Sequence, residues 1–294
     1  MSSYFFYSIV TYAMKSINII GCGRVGKTLG RAWHSSAVYR VQDVLTRSPA
    51  SAEQAVAFMG AGRATTSLAY LRPADVWMLA VPDGQIAQTA AALAQAAASW
   101  AKSDRTNPGG PPAIAFHCSG ALASTELAPL HSLGWQLASA HCLLSFADPG
   151  TALQQLSGSP CALEGDPTAT LALEPAFARI GTRCFPLAAE HKLLYHAGAV
   201  FATNFLPVLQ DLAQQLWRDS GVPADMAARL NTTLLRNAVD NILALGPVSA
   251  LTGPAARGDT ALVQRQGEAV AQWNPTAGKA YQALSQLAAK LAAS

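Results

Sequence analysis

The chain has 294 residues, of which 51% are hydrophobic and only 13% charged, about half the charged share of ordinary soluble domains. This excludes a disordered chain, which needs low hydrophobicity and high net charge. Twenty basic residues against 17 acidic ones leave a net charge of +3, too weak and too scattered for a nucleic-acid or membrane-surface binder.

The first segment, MSSYFFYSIVTYAM, is aromatic-rich but lacks a basic start and a small-residue cleavage site, so it does not read as a signal peptide. Residues 1–13 are expected to be a tail. SINII (16–20) is a short apolar strand running directly into GCGRVG, with glycines at 21, 23 and 26, and KTLGRAWHSS continues as helix. A strand over 38–46 and a helix near 50–59 follow. DVWMLAVPD (75–83) is a buried strand leading into an Ala-rich helix over 84–101. SDRTNPGGPP (103–112) is a loop, and AIAFHCSG (113–120) is a further strand. Strands separated by helical stretches of this length imply βαβ units and a doubly wound parallel sheet. CALEGD (161–166), a helix after it and TRCFPL (182–187) extend that sheet. From 188 the pattern is helical: one long helix to about 219, broken or bent near Pro207, then 223–245, 260–272 and 276–293. The fold class is therefore α/β, with a dinucleotide-binding Rossmann domain over 14–187 and an all-helical domain over 188–294. No stretch offers the roughly 20 uninterrupted apolar residues of a membrane span.

The glycine motif follows a strand and opens a helix, which is the setting it requires. Gly21 permits the tight turn, Gly23 lets the backbone approach a pyrophosphate, and Gly26 lets helix and strand pack closely. Cys22, Arg24 and Val25 complete the turn, and Val81 and Pro82 sit at the neighbouring strand end. About 20 residues on, an NAD site usually shows a carboxylate. Here stand Thr46, Arg47 and Ser48, a cation and hydroxyls suited to a 2′-phosphate, with Asp43 as the acidic competitor. The expected cofactor is NADP(H), with NADPH preferred.

Four constellations are candidates for chemistry. In EHKLLYHAGAVFATN (190–204), Lys192 and His196 share a helix face, with Ala199 and Thr203 continuing it and Asn204 about a quarter turn away. Either Lys192 or His196 could protonate a carbonyl or imine during its reduction; both could equally be an exposed helix start and a satisfied core polar group. Ser119 sits at a strand end, where ligands of open α/β sheets bind. His141-Cys142 is at another strand exit, where His141 could line a substrate cleft or the pair could act as a thiol nucleophile. Arg257, in ALTGPAARGDTA (250–261), could grip a substrate carboxylate or form a surface ion pair with Asp259. The five cysteines, Cys22, Cys118, Cys142, Cys161 and Cys184, are odd in number and contain no Cys-x-x-Cys pair, which fits free thiols in a reducing cytoplasm. No metal-ligand motif is present, and no metal is expected.

Together INIIGCGRVG, DVWMLAVPDGQI, FHCSGALASTEL, SAHCLLSFAD, KLLYHAGAVFATNFL and ALTGPAARGD resemble a bacterial family of oxidoreductase-like proteins. Its members join a Rossmann-like half to a C-terminal domain of unknown function. The family is similar in architecture to 6-phosphogluconate dehydrogenase, β-hydroxyacid dehydrogenases, pyrroline-5-carboxylate reductase and ketopantoate reductase. The resemblance implies an NADP-dependent reductase of a small carbonyl or imine carboxylate, ketopantoate among the candidates, acting in an interdomain cleft. It also implies a homodimer formed through the C-terminal helices. In the β-hydroxyacid group a Lys-x-x-x-Asn pair handles the proton; Lys192 would take the lysine role, while His196 stands where that pattern has Asn. The family tends to have His-Pro where this chain has His141-Cys142. The competing reading is a non-catalytic NADP(H)-binding sensor or scaffold.

Overall fold

A computed structural model describes residues 14–101 and 111–294; the expected N-terminal tail and most of the 103–112 loop lie outside them. The chain divides into two compact units, one ending at Val200 and the other running from Phe201 to Ser294.

The first unit alternates strands and helices: β1 (Ser16–Ile20), α1 (Arg24–Ser35), β2 (Arg40–Leu45), α2 (Pro49–Met59), β3 (Arg63–Thr65), β4 (Val76–Leu79), α3 (Ile86–Ala101), β5 (Ile114–His117), β6 (Gln136–Cys142), α4 (Pro149–Gln155), β7 (Pro160–Gly165), α5 (Pro167–Arg179), β8 (Arg183–Pro186) and α6 (Lys192–Ala199). Among the described residues the strands form one eight-stranded sheet in the order β3-β2-β1-β4-β5-β6-β7-β8. The order reverses between β1 and β4, which opens the crevice where such sheets bind ligands. All neighbours run parallel except β6 and β7, which pair antiparallel from Ala138↔Gly165 to Cys142↔Cys161. The sheet is thus mixed in direction, a detail absent from the sequence reading.

Both faces of the sheet are covered, as βαβ crossovers require. On one face Trp33 meets Phe177 edge-on at 5.2 Å and Phe116 at 6.1 Å, and its indole N–H donates to the Ala176 carbonyl at 3.0 Å. On the other, Trp77 stacks between Trp100 and Trp135 at 5.5 and 5.2 Å. These rings are large apolar bodies whose burial dominates core energetics.

The helix expected over 188–219, broken or bent near Pro207, is interrupted ahead of that proline. A 3-10 turn over Ala189–His191 leads into α6, then Val200–Asn204 forms a π-helical turn, and α7 spans Phe205–Asp219. Pro207 is the physical cause: it has no N–H for the carbonyl four residues back, and its ring crowds that carbonyl. The widened turn absorbs the misfit just before the proline, so the break falls close to Pro207, as expected. The expected domain boundary near 187 precedes α6, whereas α6 belongs to the sheet unit.

In the second unit, α8 (Ala224–Ala250) is kinked at Gly246, whose φ is 77° and which precedes Pro247. Helices α9 (Thr260–Trp273) and α10 (Pro275–Ala292) form a close antiparallel pair. Their contact depends on Gly278, where a Cβ would come within 2.6 Å of the Ala271 backbone. Asp259 caps α9 by accepting from Leu262 N, and Asn274 caps α10 through Thr276 N and Ala277 N. Among the described residues no helix is long and apolar enough to cross a membrane.

Candidate functional site

Two groupings of predicted residues form in the first unit. The first surrounds the turn between β1 and α1. Gly21 has φ +77°, and a Cβ there would lie 2.8 Å from the Ala80 backbone, so only glycine fits the turn. Gly26 is buried behind it, its missing Cβ leaving room for the Gly21 carbonyl, which would otherwise sit 2.9 Å away. Gly23 differs from both: nothing lies within 4 Å of its Cβ position, so its backbone faces open space. Gly23 is also the N-cap of α1, which has no side-chain cap and no acid in its first turn. The free N–H groups there and the helix dipole favour an anion.

That open space belongs to a cavity of about 1050 Å³ lined by Gly21, Cys22, Gly23, Arg24, Val25, Arg47, Val81 and Pro82, together with Ser51, Thr66, Ser67, Gln85 and Phe146. Eight of the ten residues expected around a dinucleotide therefore share one cavity wall. Gly26 and Ser48 do not line it. Ser48 is the N-cap of α2; its Oγ accepts from Ser51 N at 3.3 Å and donates to Ser51 Oγ at 2.9 Å. Arg47 is exposed at the rim and makes no hydrogen bond or ion pair among the described residues. Asp43, its acidic competitor, is fully buried and held by Arg72 at 2.7 Å and Arg63 at 2.9 Å. Burial alone would raise the Asp43 pKa, but the hydrogen bonds from Arg72 and Arg63 outweigh it and hold the carboxyl below its ordinary value. Its oxygens are thus spent on arginines. The contacts among these residues suit a pyrophosphate at Gly23 and an anionic group at Arg47.

The second grouping lies at the carboxyl ends of β5 and β6 and the start of α6. Lys192 is 1% exposed; its Nζ donates to Ser139 Oγ at 2.7 Å and to the Ser119 carbonyl at 3.2 Å. Burial lowers the Lys192 pKa, against the raising influence of Glu164 and Asp83. Ser119 is equally committed: its Oγ donates to Asp83 Oδ2 at 2.7 Å and accepts from Leu122 N at 3.0 Å. His117 accepts from Ser119 N through Nδ1, so its Nε2 donates to the Ala123 carbonyl at 2.9 Å.

Beside them, His141 Nδ1 lies 3.0 Å from the Tyr195 hydroxyl, and its ring is 5.6 Å from that of His196. Burial, then the neighbouring His196 and Lys192, pushes the His141 pKa down to about 4, so this imidazole is neutral at ordinary pH. Burial pushes the Tyr195 phenol up, keeping it a neutral donor. The two imidazoles fit only because residue 120 is glycine: a Cβ there would sit 2.5 Å from His196 Nδ1 and 2.7 Å from His141 Cε1. His196 Nδ1 is buried without a hydrogen-bond partner. Tyr195, Gly120, Asp83 and Ser139 went unmarked in the sequence. The adjacency of Tyr195 to His196 offered a signal, while the others depend on strand register.

His141 and Cys142 are neighbours on a strand and so point to opposite faces; Cys142 Sγ donates to Cys161 Sγ at 3.6 Å, and the two do not form a nucleophilic pair. Asn204 and Arg257 belong to the second unit. Asn204 Oδ1 accepts from Thr203 Oγ1 at 2.8 Å. Arg257 is exposed, and Asp259 serves as the α9 cap instead of pairing with it. Among the described residues no cluster of His, Cys, Asp or Glu could hold a metal ion.

Sheet order, glycine turn and crossover helices define the first unit as a Rossmann-like α/β domain, joined here to a helical one. Residues 7–141 match the Rossmann-like domain family, and residues 159–288 match a domain of unknown function, DUF2520. The two matches lie one after the other along the chain, the first over the sheet's early strands and the second from β7 onward. No curated protein matches the sequence. Among solved structures, a Thermotoga maritima protein is 24% identical with a TM-score of 0.69, covering 94% of this chain and 98% of its own. A Bacteroides fragilis protein described as an NADP oxidoreductase is 20% identical with a TM-score of 0.70 over the same shares. The pyrroline-5-carboxylate reductase of Coxiella burnetii is 14% identical with a TM-score of 0.54, covering 95% of this chain and 99% of its own. These likenesses are in fold.

Proposed function

We propose that the protein is an NADP(H)-dependent oxidoreductase that reduces a small carbonyl or imine bearing a carboxylate. The observation that carries this reading is the cavity over Gly23: an uncapped helix N-terminus at its floor and an unpartnered Arg47 at its rim. The similar Bacteroides protein is described as an NADP oxidoreductase, and the Coxiella protein as a reductase of a cyclic imine carboxylate, which supports the same chemistry here. The turn at Gly21, Gly23 and Gly26 would hold the pyrophosphate, and Arg47 the 2′-phosphate. When bound, the reduced nicotinamide supplies hydride.

The chain's own contribution is the proton. Lys192 is the positioning residue, because its ammonium is spent on Ser139 and the Ser119 carbonyl. His196 is the assigned donor: with Nδ1 shut away beside Gly120, it exchanges a proton only through Nε2, toward the substrate oxygen or nitrogen. General acid assistance of this kind is worth about 10²–10⁴-fold in rate. Arg257 and Asn204 remain the proposed contacts for the substrate, Arg257 for its carboxylate.

We also infer that the protein works as a homodimer with the small-molecule substrate as its other partner, in the cytoplasm. Large apolar side chains standing in water on the helical unit, Leu243 at 80% exposure and Leu245 at 58%, support self-association.

The test is NADPH and NADH titration followed by turnover on 2-keto acids, including ketopantoate, and cyclic imines. NADPH is expected to bind tighter, and Arg47→Ala to weaken NADPH alone by roughly 10- to 100-fold, as a charged hydrogen bond contributes about 1.5–3 kcal/mol. His196→Ala should lower kcat with cofactor affinity kept. Binding without oxidation of NADPH on any substrate would sink the enzyme reading and leave a sensor or scaffold.

A further inference from the structure

Three cysteines far apart in sequence stand side by side on three neighbouring strands. Cys142 on β6 is the register partner of Cys161 on β7, and Cys161 is the register partner of Cys184 on β8. Paired strands lie about 4.7–4.9 Å apart, within the Cα separation that a disulfide spans. Cys142 donates to Cys161 at 3.6 Å, and Cys184 stands beside Cys161 on the next strand. All three are free thiols.

They differ in access. Cys142 and Cys161 are buried, whereas Cys184 is half-buried on β8, the last strand of the sheet. The Thr182 hydroxyl and the Glu174 carbonyl each approach its sulfur at 3.9 Å. The hydrogen bond from Cys161 draws the Cys184 thiol down to about 7. Cys161 itself, hydrogen-bonded to Cys142 and Cys184 and then buried, is held far up in its thiol form. An accessible thiolate beside a resolving thiol is the arrangement of redox-reactive cysteine pairs. None of the three lines the cavity over Gly23, and none is given a role in the proposed hydride or proton transfer.

We propose that Cys184 is an oxidation site for hydroperoxides, resolved by Cys161 as a disulfide. The Cys184 thiolate attacks the peroxide oxygen, the O–O bond breaks, and the displaced hydroxide takes a proton to become water. Cys184 is left as a sulfenic acid. The Cys161 sulfur then attacks the Cys184 sulfur; the S–S bond forms, the S–O bond breaks, and hydroxide leaves with the Cys161 proton as a second water. Two thiols are oxidised and one peroxide is reduced.

The experiment treats the full chain with stoichiometric hydrogen peroxide and maps thiols and linked peptides by mass spectrometry. Loss of two thiols and a Cys161–Cys184 linked peptide are expected, with Cys22 and Cys118 still alkylable after unfolding. At pH 7 Cys184 should alkylate about tenfold or more faster than Cys22, following its larger thiolate fraction. In Cys161→Ser the sulfenic acid on Cys184 should persist and be trapped by dimedone. A linked Cys142–Cys161 peptide with Cys184 still free, or unchanged thiols throughout, would overturn the proposal. The wild-type mapping needs no variant to fold.

Discussion

The sheet unit buries Trp33, Trp77, Phe116 and Phe177 completely, whereas the helical unit buries two apolar side chains, Ala227 and Ala277. Both draw on the same charge-poor composition. In the sheet unit, low charge goes into strands covered on both faces. In the helical unit it goes to the surface, where Phe201, Val208, Leu234, Ile242 and Leu243 are each at least 49% exposed. Exposed apolar area on that scale marks interaction sites in soluble proteins, and obligate interfaces resemble a core cut in two. The sheet unit has its core inside the chain; the helical unit carries its large apolar side chains on its surface.

The strongest way to break this contrast is to cut into the sheet core. Trp33→Ala removes a fully buried ring with three aromatic neighbours, Tyr39, Phe116 and Phe177, and orphans the Ala176 carbonyl. A loss of about 3–5 kcal/mol in denaturant unfolding is expected. A loss under 1 kcal/mol would mean that Trp33 is not the centre of that face.

Next in size comes acid. Burial draws the His141 pKa down to about 4 from its ordinary 6.5, so between those limits the unfolded chain binds more protons than the folded one. Stability therefore rises with pH across that window and is lost as pH falls from about 6.5 to 4. The contribution is about 3 kcal/mol at most, at about 1.4 kcal/mol per unit, and His141→Gln should flatten it. Asp43, held low by its arginines, adds a loss in the same direction at lower pH. A stability profile of His141→Gln that parallels the wild type would assign the acid sensitivity to other groups.

Much of the first site was legible because its geometry is local. A strand, three spaced glycines and a helix start dictate where a pyrophosphate can approach, and Arg47 follows at a fixed distance along the chain. The second site was half legible: the i, i+4 spacing of Lys192 and His196 marked the helix, but not that Lys192 turns inward to Ser139. What stayed hidden depends on register or on very short elements. Three residues, Arg63–Thr65, form the edge strand β3. The apolar run CAL in β7 carries nothing that sets the direction of pairing, so its antiparallel pairing with β6 had no local signature. The cysteine row and the Gly120 gap between two imidazoles arise from strands far apart in sequence.

Dilution probes the other side of the contrast. If the helical surface is covered by a second copy, folding and association are linked, and each tenfold dilution lowers apparent stability by about 1.4 kcal/mol. Leu243→Glu, placing a charge at the most exposed leucine of that surface, should yield a monomer by light scattering. A wild-type chain that is monomeric at micromolar concentration, with a melting temperature independent of concentration, would reject the dimer and leave the exposed leucines to another partner.

The smallest effects should be the same in both units, which makes them the sharpest control on the comparison. Ser48 caps α2 in the sheet unit and Asp259 caps α9 in the helical unit, each by accepting one backbone N–H. A cap bond is local, depending on neither core nor interface, and its loss costs about 1 kcal/mol. Ser48→Ala and Asp259→Ala should therefore destabilise the chain about equally, although one sits beside a dense core and the other does not. Ser48→Ala should also leave NADPH affinity nearly unchanged, because its hydroxyl already serves Ser51. A much larger cost for Asp259→Ala would show that this aspartate does more than cap, most directly through its neighbour Arg257. A drop in NADPH affinity for Ser48→Ala would return Ser48 to the phosphate site, beside Arg47.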